Sequence, residues 1–281
     1  MRTFEHGTAV WDVATPQQPG QVAGVTMAGF RLHDLTALRM VPHPAVTLLL
    51  EFGAGSPVLE GTGRQHRGCL VAGPGFGSGG AVRAWGENLE CVQVRLSPLI
   101  ARAVLGASTA DLDGDAVPLD ALWGREASRI REQLADTTSW PERFAFTDAL
   151  LARRHAQPPP VDPEVTWAWR RIVGTRGLAR VDDLATEVGW SRKRLWSRFR
   201  AQLGLPPKRA IKLVRFDHAA HRLAAGHAAA HVAAETGYTD QSHLHRDVHE
   251  FTGTTPATVA AEPFIAVDDI AWPRRGTTTD F

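Results

Sequence analysis

The chain has 281 residues, of which 43% are hydrophobic and 22% charged, and its formal net charge is +1 at pH 7. These values are typical of an ordinary globular protein and are compatible with two domains. The first residues lack the basic-then-apolar order of a secretory signal, and the longest apolar run, around residues 45–50, is far too short to span a bilayer. We therefore expect a cytoplasmic protein with no membrane partner.

Residues 1–96 predict a strand-rich region. Short apolar runs are separated by Gly and Pro, as is typical of a small barrel or sandwich. The runs are residues 22–30, 46–52, 69–72, 82–85 and 89–96. A GxGxxG match at Gly75, Gly77 and Gly80 contains Pro74 and does not open a helix. A glycine-rich loop is therefore favoured over a dinucleotide site.

The cysteines and histidines of this region do not predict a metal site. Cys69 and Cys91 form no CxxC pair, and two core thiols in a reducing compartment are favoured over a redox-sensing pair. His33, His43 and His66 are isolated from one another and are expected on the surface or in loops. We predict no metal and no cofactor.

From Ser97 the pattern changes to helices, and residues 97–156 predict a helical subdomain. Ser97 is a good N-cap, Pro98 suits the first turn, and Gly106 is expected to end the first helix. Two later helices are predicted at residues 119–134 and 141–154. The subdomain would pack on the strand-rich region or form dimer contacts.

A run of three prolines marks the domain boundary. Residues 157–162 are predicted to be a semi-rigid linker, because proline lacks a backbone donor and favours an extended chain. The second domain is assigned to residues 163–262, with a first helix over residues 163–175. The tail, residues 263–281, is expected to be loosely ordered.

The second domain contains two copies of one pattern, at residues 181–199 and 230–248. Each has a small residue in a short helix, a glycine four residues later, an aromatic residue, a polar cap residue, and a second helix with two apolar residues four apart. In this order they are Ala185, Gly189, Trp190, Ser191 and Leu195/Phe199 in the first copy, and Ala233, Gly237, Tyr238, Asp240 and Leu244/Val248 in the second. This is the layout of a helix-turn-helix motif. Two motifs predict a protein that places two helices in successive major grooves of double-stranded DNA.

The second helix of the first motif divides into a core face and a DNA face. Leu195, Phe199 and Leu203 lie four apart and are predicted to face the core. The predicted base or groove contacts are Lys193, Trp196, Ser197 and Arg200, and the predicted phosphate contacts are Arg192, Arg194 and Arg198. Trp196 could instead be a partly buried packing residue. We disfavour that alternative because Trp190 and Phe199 already fill neighbouring core positions.

The second motif has fewer cations. Leu244, Val248 and Phe251 are predicted to face inward, and Arg246 is the one arginine of the helix. The predicted outward side chains are Gln241, Ser242, His245 and Arg246, with His249 beyond them. Gln241 suits adenine. The three histidines do not share one helix face, so a change of protonation that modulates phosphate affinity is favoured over a zinc site.

Charge is distributed unequally between the motifs. Residues 167–216 hold thirteen Lys and Arg against three Asp and Glu, whereas residues 217–262 hold two against six. This asymmetry favours a phosphate-binding footprint on the first motif. A connecting helix over residues 207–223 would fix the spacing of the motifs, which must be about 34 Å to meet successive turns of DNA.

The second domain resembles the AraC/XylS family of bacterial transcription regulators over residues 181–259. The matching positions are Leu184, Ala185, Gly189, Trp190, Ser191, Leu195, Arg198, Phe199, Gly204, Leu205, Pro206, Arg215, Ala219, Leu223, Ala233, Gly237, Tyr238, Asp240, Gln241, Ser242, His243, Arg246, Gly253, Thr254, Thr255 and Pro256. The resemblance implies that the two helix faces given above contact DNA, and that residues 1–96 are a cupin-like half for ligand sensing and dimerisation. Val248 and Val259 stand where the family usually has Phe and Tyr, which should weaken the core of the second motif.

The predicted fold is α+β: a strand-rich, cupin-like barrel with a helical subdomain, then an all-α domain with two helix-turn-helix motifs joined by a connecting helix. The predicted function is sequence-specific, DNA-binding transcription regulation, controlled by a ligand or partner at the N-terminal domain. Candidate partners besides DNA are a small-molecule effector, RNA polymerase and a second copy of the chain. We predict no enzymatic activity, since no nucleophile–base set stands out. The alternatives are an N-terminal enzyme or a protein-interaction module tethered to DNA.

Overall fold

The computed structural model describes residues 2–6, 9–55, 58–61, 64–79, 82–112, 116–156 and 161–272. A strand-rich part comes first and helices follow, so the predicted α+β order is confirmed. The proline run at residues 157–160 and the tail beyond residue 272 lie outside the described residues. None of the described helices is both long enough and apolar enough to cross a membrane.

The strands of the described residues form one antiparallel sheet. They are β1 (Arg2–His6), β2 (Ala9–Ala14), β3 (Val25–Arg39), β4 (Val46–Glu51), β5 (Val58–Gly61), β6 (Arg64–Arg67), β7 (Leu70–Ala72), β8 (Arg83–Leu96) and β9 (Ala116–Pro118). The order is β1-β2-β3-β8-β4-β7-β9, with β5 joining β8 to β6. Strand β8 is central, because β3 pairs along one edge while β5 and β4 share the other. The two strands predicted at residues 82–85 and 89–96 are therefore one, since pairing with β3 continues between them.

The side chains of strand β8 contribute to two apolar cores, one on each face of the sheet. Side chains alternate between the faces of a strand. Val92 and Val94 join the apolar cluster that contacts the helical subdomain, whereas Leu89 and Cys91 belong to a second cluster on the opposite face. One face of the sheet is thus covered by helices, and the other encloses a separate core.

The helical subdomain consists of α1 (Pro98–Leu105), α2 (Leu119–Trp123), α3 (Arg125–Asp136) and α4 (Trp140–His155), with a short 3-10 helix at Thr109–Leu112. The Ser97 cap and the Gly106 end of α1 are confirmed: the Ser97 hydroxyl accepts from the Leu99 amide, and Gly106 has a φ of 73°. The single helix predicted at residues 119–134 is wrong. Gly124 separates α2 from α3 with φ 55° and ψ −136°, a conformation that cannot continue a helix.

The C-terminal part is helical throughout. Its helices are α5 (Pro163–Gly174), α6 (Val181–Glu187), α7 (Arg192–Leu203), α8 (Pro207–Ala224), α9 (Ala229–Glu235), α10 (Gln241–Thr252), α11 (Pro256–Ala260) and α12 (Pro263–Ala271). One apolar cluster runs from α5 to α12 and includes the fully buried Trp169, Phe199, Phe216 and Phe251. The predicted connecting helix is confirmed as α8.

The expectation of a loosely ordered tail is wrong for its first part. Pro263–Ala271 is helix α12, and its side chains Ile265, Val267, Asp268 and Ala271 are buried. The helix packs against β3 and β2 of the sheet and against α8. Apolar residues at helical spacing explain why this segment folds, because the sheet and α8 offer them a surface on which to be buried.

The turn glycines allow a stability test with a matched control. Gly189 has a φ of 68° and Gly237 a φ of 75°, whereas Gly174 ends a helix without a positive φ. An added Cβ would meet nothing within 4 Å at Gly189 or Gly174. We expect Gly189→Ala to lower the free energy of unfolding by about 1–2 kcal/mol, because an L side chain resists the left-handed conformation.

Gly174→Ala is the control, and it should leave the free energy of unfolding unchanged or raise it by up to about 1 kcal/mol, as expected for Gly to Ala in a helix. Urea titration followed by circular dichroism measures both. Equal effects of the two substitutions would contradict the strained-turn explanation.

Candidate nucleic-acid interface

The turn of the first motif has the predicted geometry. After α6, Gly189 takes its positive φ, and the amide of Trp190 donates to the carbonyl of Ala185 at 2.9 Å. The hydroxyl of Ser191 then accepts from the amide of Arg194 at 3.2 Å and caps α7. The backbone therefore changes direction within a few residues, which places α7 across α6 as the second helix of the motif.

The second motif repeats this turn. Gly237 has a positive φ, the amide of Tyr238 donates to the carbonyl of Ala233 at 3.0 Å, and Asp240 caps α10 by accepting from the amide of His243 at 2.7 Å. The equivalence of both turns confirms the two helix-turn-helix motifs at the level of backbone hydrogen bonds.

Helix α7 has the predicted division between core and surface. Leu195, Phe199 and Leu203 are fully buried. The side chains predicted to contact DNA are all exposed: Arg192, Lys193, Arg194, Trp196, Ser197, Arg198 and Arg200. Trp196 is 46% exposed, and the guanidinium of Arg200 lies 5.4 Å from its ring centroid. Trp196 is therefore accessible at the surface of α7, and its contact with DNA stays a prediction.

Two of the predicted phosphate ligands are held by acidic residues. Arg198 makes a bidentate ion pair with Asp162, at 2.6 and 2.7 Å, and this hydrogen bonding lowers the pKa of Asp162. Arg192 pairs with Asp182 at 3.0 Å, but both side chains are largely exposed. Asp162 lies just before α5, so it orients Arg198 from outside the motif, and the sequence pattern gave no sign of this pair.

Helix α10 also presents its predicted residues to solvent. Gln241, Ser242, His245 and Arg246 are exposed. Gln241 and His245 lie 3.3 Å apart through Nε2 of each side chain, and the Nε of Arg246 donates to the carbonyl of Ser242 at 3.3 Å. These contacts lie along the surface of one helix, so they pre-order the side chains without burying them.

The two positions that depart from the family pattern lie in the core of the second motif. Val248 and Val259 are both fully buried. Phe216 of α8 stacks on Phe251 of α10 with ring centroids 4.8 Å apart. Both rings belong to the same apolar cluster as the two valines.

Most acids of residues 217–262 do not lie on the face that is predicted to contact DNA. Asp247 and Glu250 of α10 face α8, where they pair with the cations Arg209, Lys212 and Arg215. Other acids of this segment pair with Arg222, with Arg39 or with the histidines of α8 and the sheet. Several of the basic residues counted over residues 167–216 thus lie on α8 and neutralise acids of the second motif. The two motifs still differ on the exposed faces of their recognition helices, where α10 has only Arg246 as an arginine.

The N-terminal part contacts the first motif. The Thr109 hydroxyl in the 3-10 helix donates to the carbonyl of Gln202 at 3.4 Å. A Cβ on Gly204 would lie 2.7 Å from the Thr109 carbonyl oxygen, so the two backbones meet closely. The buried end of α7 is thereby held by the subdomain while its other face stays exposed.

The second motif contacts the sheet and its loops. The amide of Gly79 donates to the carbonyl of Phe251 at 3.2 Å. Arg39 pairs with Glu262 at 3.0 Å and donates to the carbonyl of Thr252 at 3.4 Å. Both motifs are thus in contact with the N-terminal part. The sequence did not reveal this arrangement, because the partners are between 93 and 223 residues apart.

The concave face of the sheet encloses a cavity of about 100 Å³. Its lining is mostly apolar and comes from β2, β3, β4, β5, β7 and β8, with side chains of α12 closing one side. At that side lies a buried polar cluster of Arg95, His43, Asp217, His221 and Asp268. Arg95 pairs with Asp268 and lies 3.2 Å from Nε2 of His43.

The polar cluster joins the sheet to α8 and α12. His221 of α8 lies 3.4 Å from Asp268 and 2.8 Å from Asp269, and His43 of the sheet region lies 3.6 Å from Asp217 of α8. His43 is in a loop, as expected, but its ring is a contact between domains rather than an isolated surface group. His33 is exposed.

The two histidines of the cluster have opposite protonation preferences. Burial and the charge of Arg95 lower the pKa of His43 to about 4. Burial opposes protonation of His221 as well, but hydrogen bonds to Asp268 and Asp269 and the charge of Asp217 outweigh it and raise the pKa of His221 to about 9. Although burial opposes its ionisation, Arg95 and His221 keep the pKa of Asp268 well below its usual range.

A family model described as a helix-turn-helix domain matches residues 184–262, which span both motifs. Residues 184–262 are therefore a helix-turn-helix domain of the AraC type. The chain that contains it is a DNA-binding transcription regulator. None of the curated proteins matches the chain.

Several solved structures are distantly similar. ToxT from Vibrio cholerae O395 is 10% identical, with 85% of this chain and 98% of that chain covered and a TM-score of 0.46. ToxT from V. cholerae strain SCE256, bound to an unsaturated fatty acid, is 10% identical over 88% and 98%, with a TM-score of 0.43. The C-terminal domain of AraT, a response regulator from Geobacillus stearothermophilus, is 18% identical over 36% and 87%, with a TM-score of 0.34. These similarities are too distant to carry an argument.

The exposed cations predict unequal contributions of the two motifs. We expect Lys193→Ala or Arg200→Ala to weaken operator binding by about tenfold and to lower the slope of log K against log salt by about one unit if the contact is to a phosphate. Arg246→Ala should weaken binding less, because α10 presents fewer cations.

Fluorescence anisotropy with one operator at several salt concentrations measures all three variants. Ser242→Ala removes an uncharged predicted contact from the same face as Arg246, so it is the control for charge: the slope of log K against log salt should stay at the wild-type value. Equal losses for Arg246→Ala and Lys193→Ala at one salt concentration would contradict the unequal contributions.

The histidine cluster predicts stability that depends on pH in two directions. Because the pKa of His221 is higher in the folded state, its contribution is complete below about pH 6.5 and is lost as the pH rises through about 9, a change of about 3 kcal/mol. Because the pKa of His43 is lower in the folded state, its contribution is present above pH 6.5 and is lost as the pH falls through about 4.

Urea unfolding between pH 4 and pH 9 tests these signs. His221→Gln should flatten the alkaline side of the profile, and His43→Gln should flatten the acid side. An alkaline side that is unchanged in His221→Gln would exclude a raised pKa of this residue in the folded state.

Proposed function

We propose that this regulator is controlled by a small molecule that binds in the cavity of the sheet. The observation that carries the proposal is the position of the cavity: its wall includes Arg95, His43 and Asp268, which form one polar cluster with Asp217 and His221 of α8. Helix α8 joins the two DNA-binding motifs. A change at the cavity therefore has a short physical route to the element that spaces the motifs.

For DNA, we propose that α7 and α10 enter successive major grooves. Lys193, Trp196, Ser197 and Arg200 would contact bases or groove walls from α7, and Gln241, Ser242, His245 and Arg246 would do so from α10, with Arg192, Arg194 and Arg198 on phosphates. The support is that these side chains are exposed while the apolar positions between them are buried. Helix α8 has 18 residues and is about 27 Å long at 1.5 Å per residue, a length suited to hold two motifs about one turn of DNA apart.

Two observations favour sensing over catalysis at the cavity. Its aromatic and aliphatic lining suits an apolar ligand, with Trp11, Phe30, Leu32 and Leu89 among the side chains. The charged groups at its edge are engaged with one another across three structural elements, so they act as a connection between domains. The proposal accordingly assigns no enzymatic activity to this half.

The proposal also includes a cytoplasmic location, where a transcription regulator meets DNA, contact with RNA polymerase, and a homodimer. Analytical ultracentrifugation of the full chain, with and without operator, measures the oligomeric state. A stable monomer on a two-box operator would remove the homodimer from the proposal.

The effector site predicts stabilisation that a cavity variant abolishes. We expect a ligand of the cavity to raise the melting temperature in a saturable way. At one hundred times its dissociation constant, it should raise the free energy of unfolding by about 2.7 kcal/mol. Ala84→Leu would fill part of the cavity, since Ala84 lines it and is buried, and it should remove the ligand response while operator binding remains.

A screen of small metabolites by differential scanning fluorimetry makes this measurement. Ala28→Val is a control, because Ala28 is buried in the same cluster but does not line the cavity. If Ala84→Leu responds to a ligand as the wild type does, the ligand binds elsewhere.

A further inference from the structure

Helix α12 occupies the mouth of the curved sheet. Phe264, Val267, Asp268 and Trp272 line the cavity beside the strands. Val267 and Ala271 are 2% and 3% exposed and belong to the same apolar cluster as the strand residues of the concave face. The helix therefore fills space inside the sheet and leaves only the small remaining cavity.

The segment of α12 and Trp272 contacts Arg95 in the way that a small carboxylate ligand with an aromatic ring would. Arg95 is 2% exposed, and both of its terminal nitrogens donate to the carboxylate of Asp268. The ring of Trp272 covers the guanidinium at 3.7 Å and lies 5.7 Å from the ring of Phe30. A carboxylate and an indole are thus presented together to one buried cation, in an otherwise apolar site.

We propose that α12 is an internal occupant of the effector cavity, and that the effector is an aromatic monocarboxylate that takes Arg95 from Asp268 and displaces α12. The inference rests on the proposed effector role of the cavity and specifies its ligand and its regulation. The chemical class follows from Arg95: a buried guanidinium without an anion is strongly unfavourable, so α12 can leave only if another carboxylate replaces Asp268. An aromatic body would replace the ring of Trp272.

Displacement of α12 changes the support of the DNA-binding motifs. Asp268 and Asp269 both leave His221 of α8 when α12 moves, and the apolar side chains of α12 leave the sheet. The pair of His43 with Asp217 still joins the sheet region to α8, and Arg39 continues to hold the start of α12 through Glu262. The second motif then loses one of its restraints against the N-terminal part.

Calorimetric titration of the full chain with indole-3-propionate tests the competition, with the neutral indole-3-propionamide as the matched ligand. Because the wild type must release Asp268 first, its apparent affinity is lowered by the fraction of molecules with α12 released. Asp268→Asn should bind indole-3-propionate at least tenfold more tightly than the wild type, and Arg95→Gln should not bind it. The amide should bind more weakly than the acid in each protein that binds the acid.

Asp269→Asn is the matched control, because Asp269 is the adjacent acid, is half exposed and contacts His221 rather than Arg95. It should raise the affinity for indole-3-propionate less than Asp268→Asn does, because it weakens the contact of α12 with His221 but leaves the pair of Asp268 with Arg95 in place. An affinity for indole-3-propionate that is unchanged or lower in Asp268→Asn would contradict the competition with Asp268. If neither the wild type nor Asp268→Asn bound it at millimolar concentration, the assignment of an aromatic carboxylate as effector would be wrong.

Amide hydrogen exchange of the wild type gives a second measurement that needs no variant. At saturating indole-3-propionate, residues 263–271 should exchange faster if α12 is displaced. Slower exchange of the same residues would show that α12 is a wall of the site, and it would overturn the proposal.

The measurement of operator affinity separates this inference from the proposed function. Release of α12 without any change in operator affinity would support the occupant and contradict effector control of DNA binding. A ligand that changes operator affinity while α12 stays protected from exchange would support effector control of DNA binding and contradict α12 as an occupant of the cavity.

Discussion

The buried guanidinium of Arg95 is the group on which the arrangement of the two halves depends. A cation that is 2% exposed requires a fixed anionic partner, and its partner is Asp268, 173 residues later in the chain. Because Asp268 lies on α12, the C-terminal helix must pack into the sheet for the pair to form. Trp272 then covers the pair, and the apolar side of α12 completes the core of the concave face.

Helix α8 connects this pair to the DNA-binding domain, because it contacts α12 and the sheet as well as α10. On one side, Lys212 and Arg215 neutralise Asp247 of α10. Another part of the helix presents Asp217 and His221 to the sheet and to α12. Helix α8 contributes no predicted DNA contact, but it positions both motifs. It does so by ion pairs in addition to its apolar core.

The two motifs are supported by different parts of the N-terminal half. The end of α7 meets the 3-10 helix at Thr109, whereas the second motif meets the sheet region through Gly79 and Arg39. The first support comes from the helical subdomain, and the second lies close to the cavity and to α12. A ligand in the cavity would thus act on the second motif while the subdomain continues to hold the first.

Sequence alone determined the features that depend on neighbouring residues. The turn glycines at 189 and 237, the caps Ser191 and Asp240, and the buried and exposed faces of α7 and α10 were all predicted, because backbone strain, capping and helical spacing act within a few positions. The separation of α2 from α3 at Gly124 was missed, although its cause is local, because a glycine within a helical pattern does not itself reveal its φ and ψ.

Only the tertiary structure decided which charges meet. The sequence showed an excess of acids over residues 217–262, but the structure pairs Asp247 and Glu250 with cations of α8. It also pairs Asp268, which lies beyond that segment, with Arg95. It also turned a supposed loose tail into α12 and created the cavity that α12 closes. Composition and periodicity could not show these features, because an ion pair or a buried helix needs a partner surface that folding brings from distant parts of the chain.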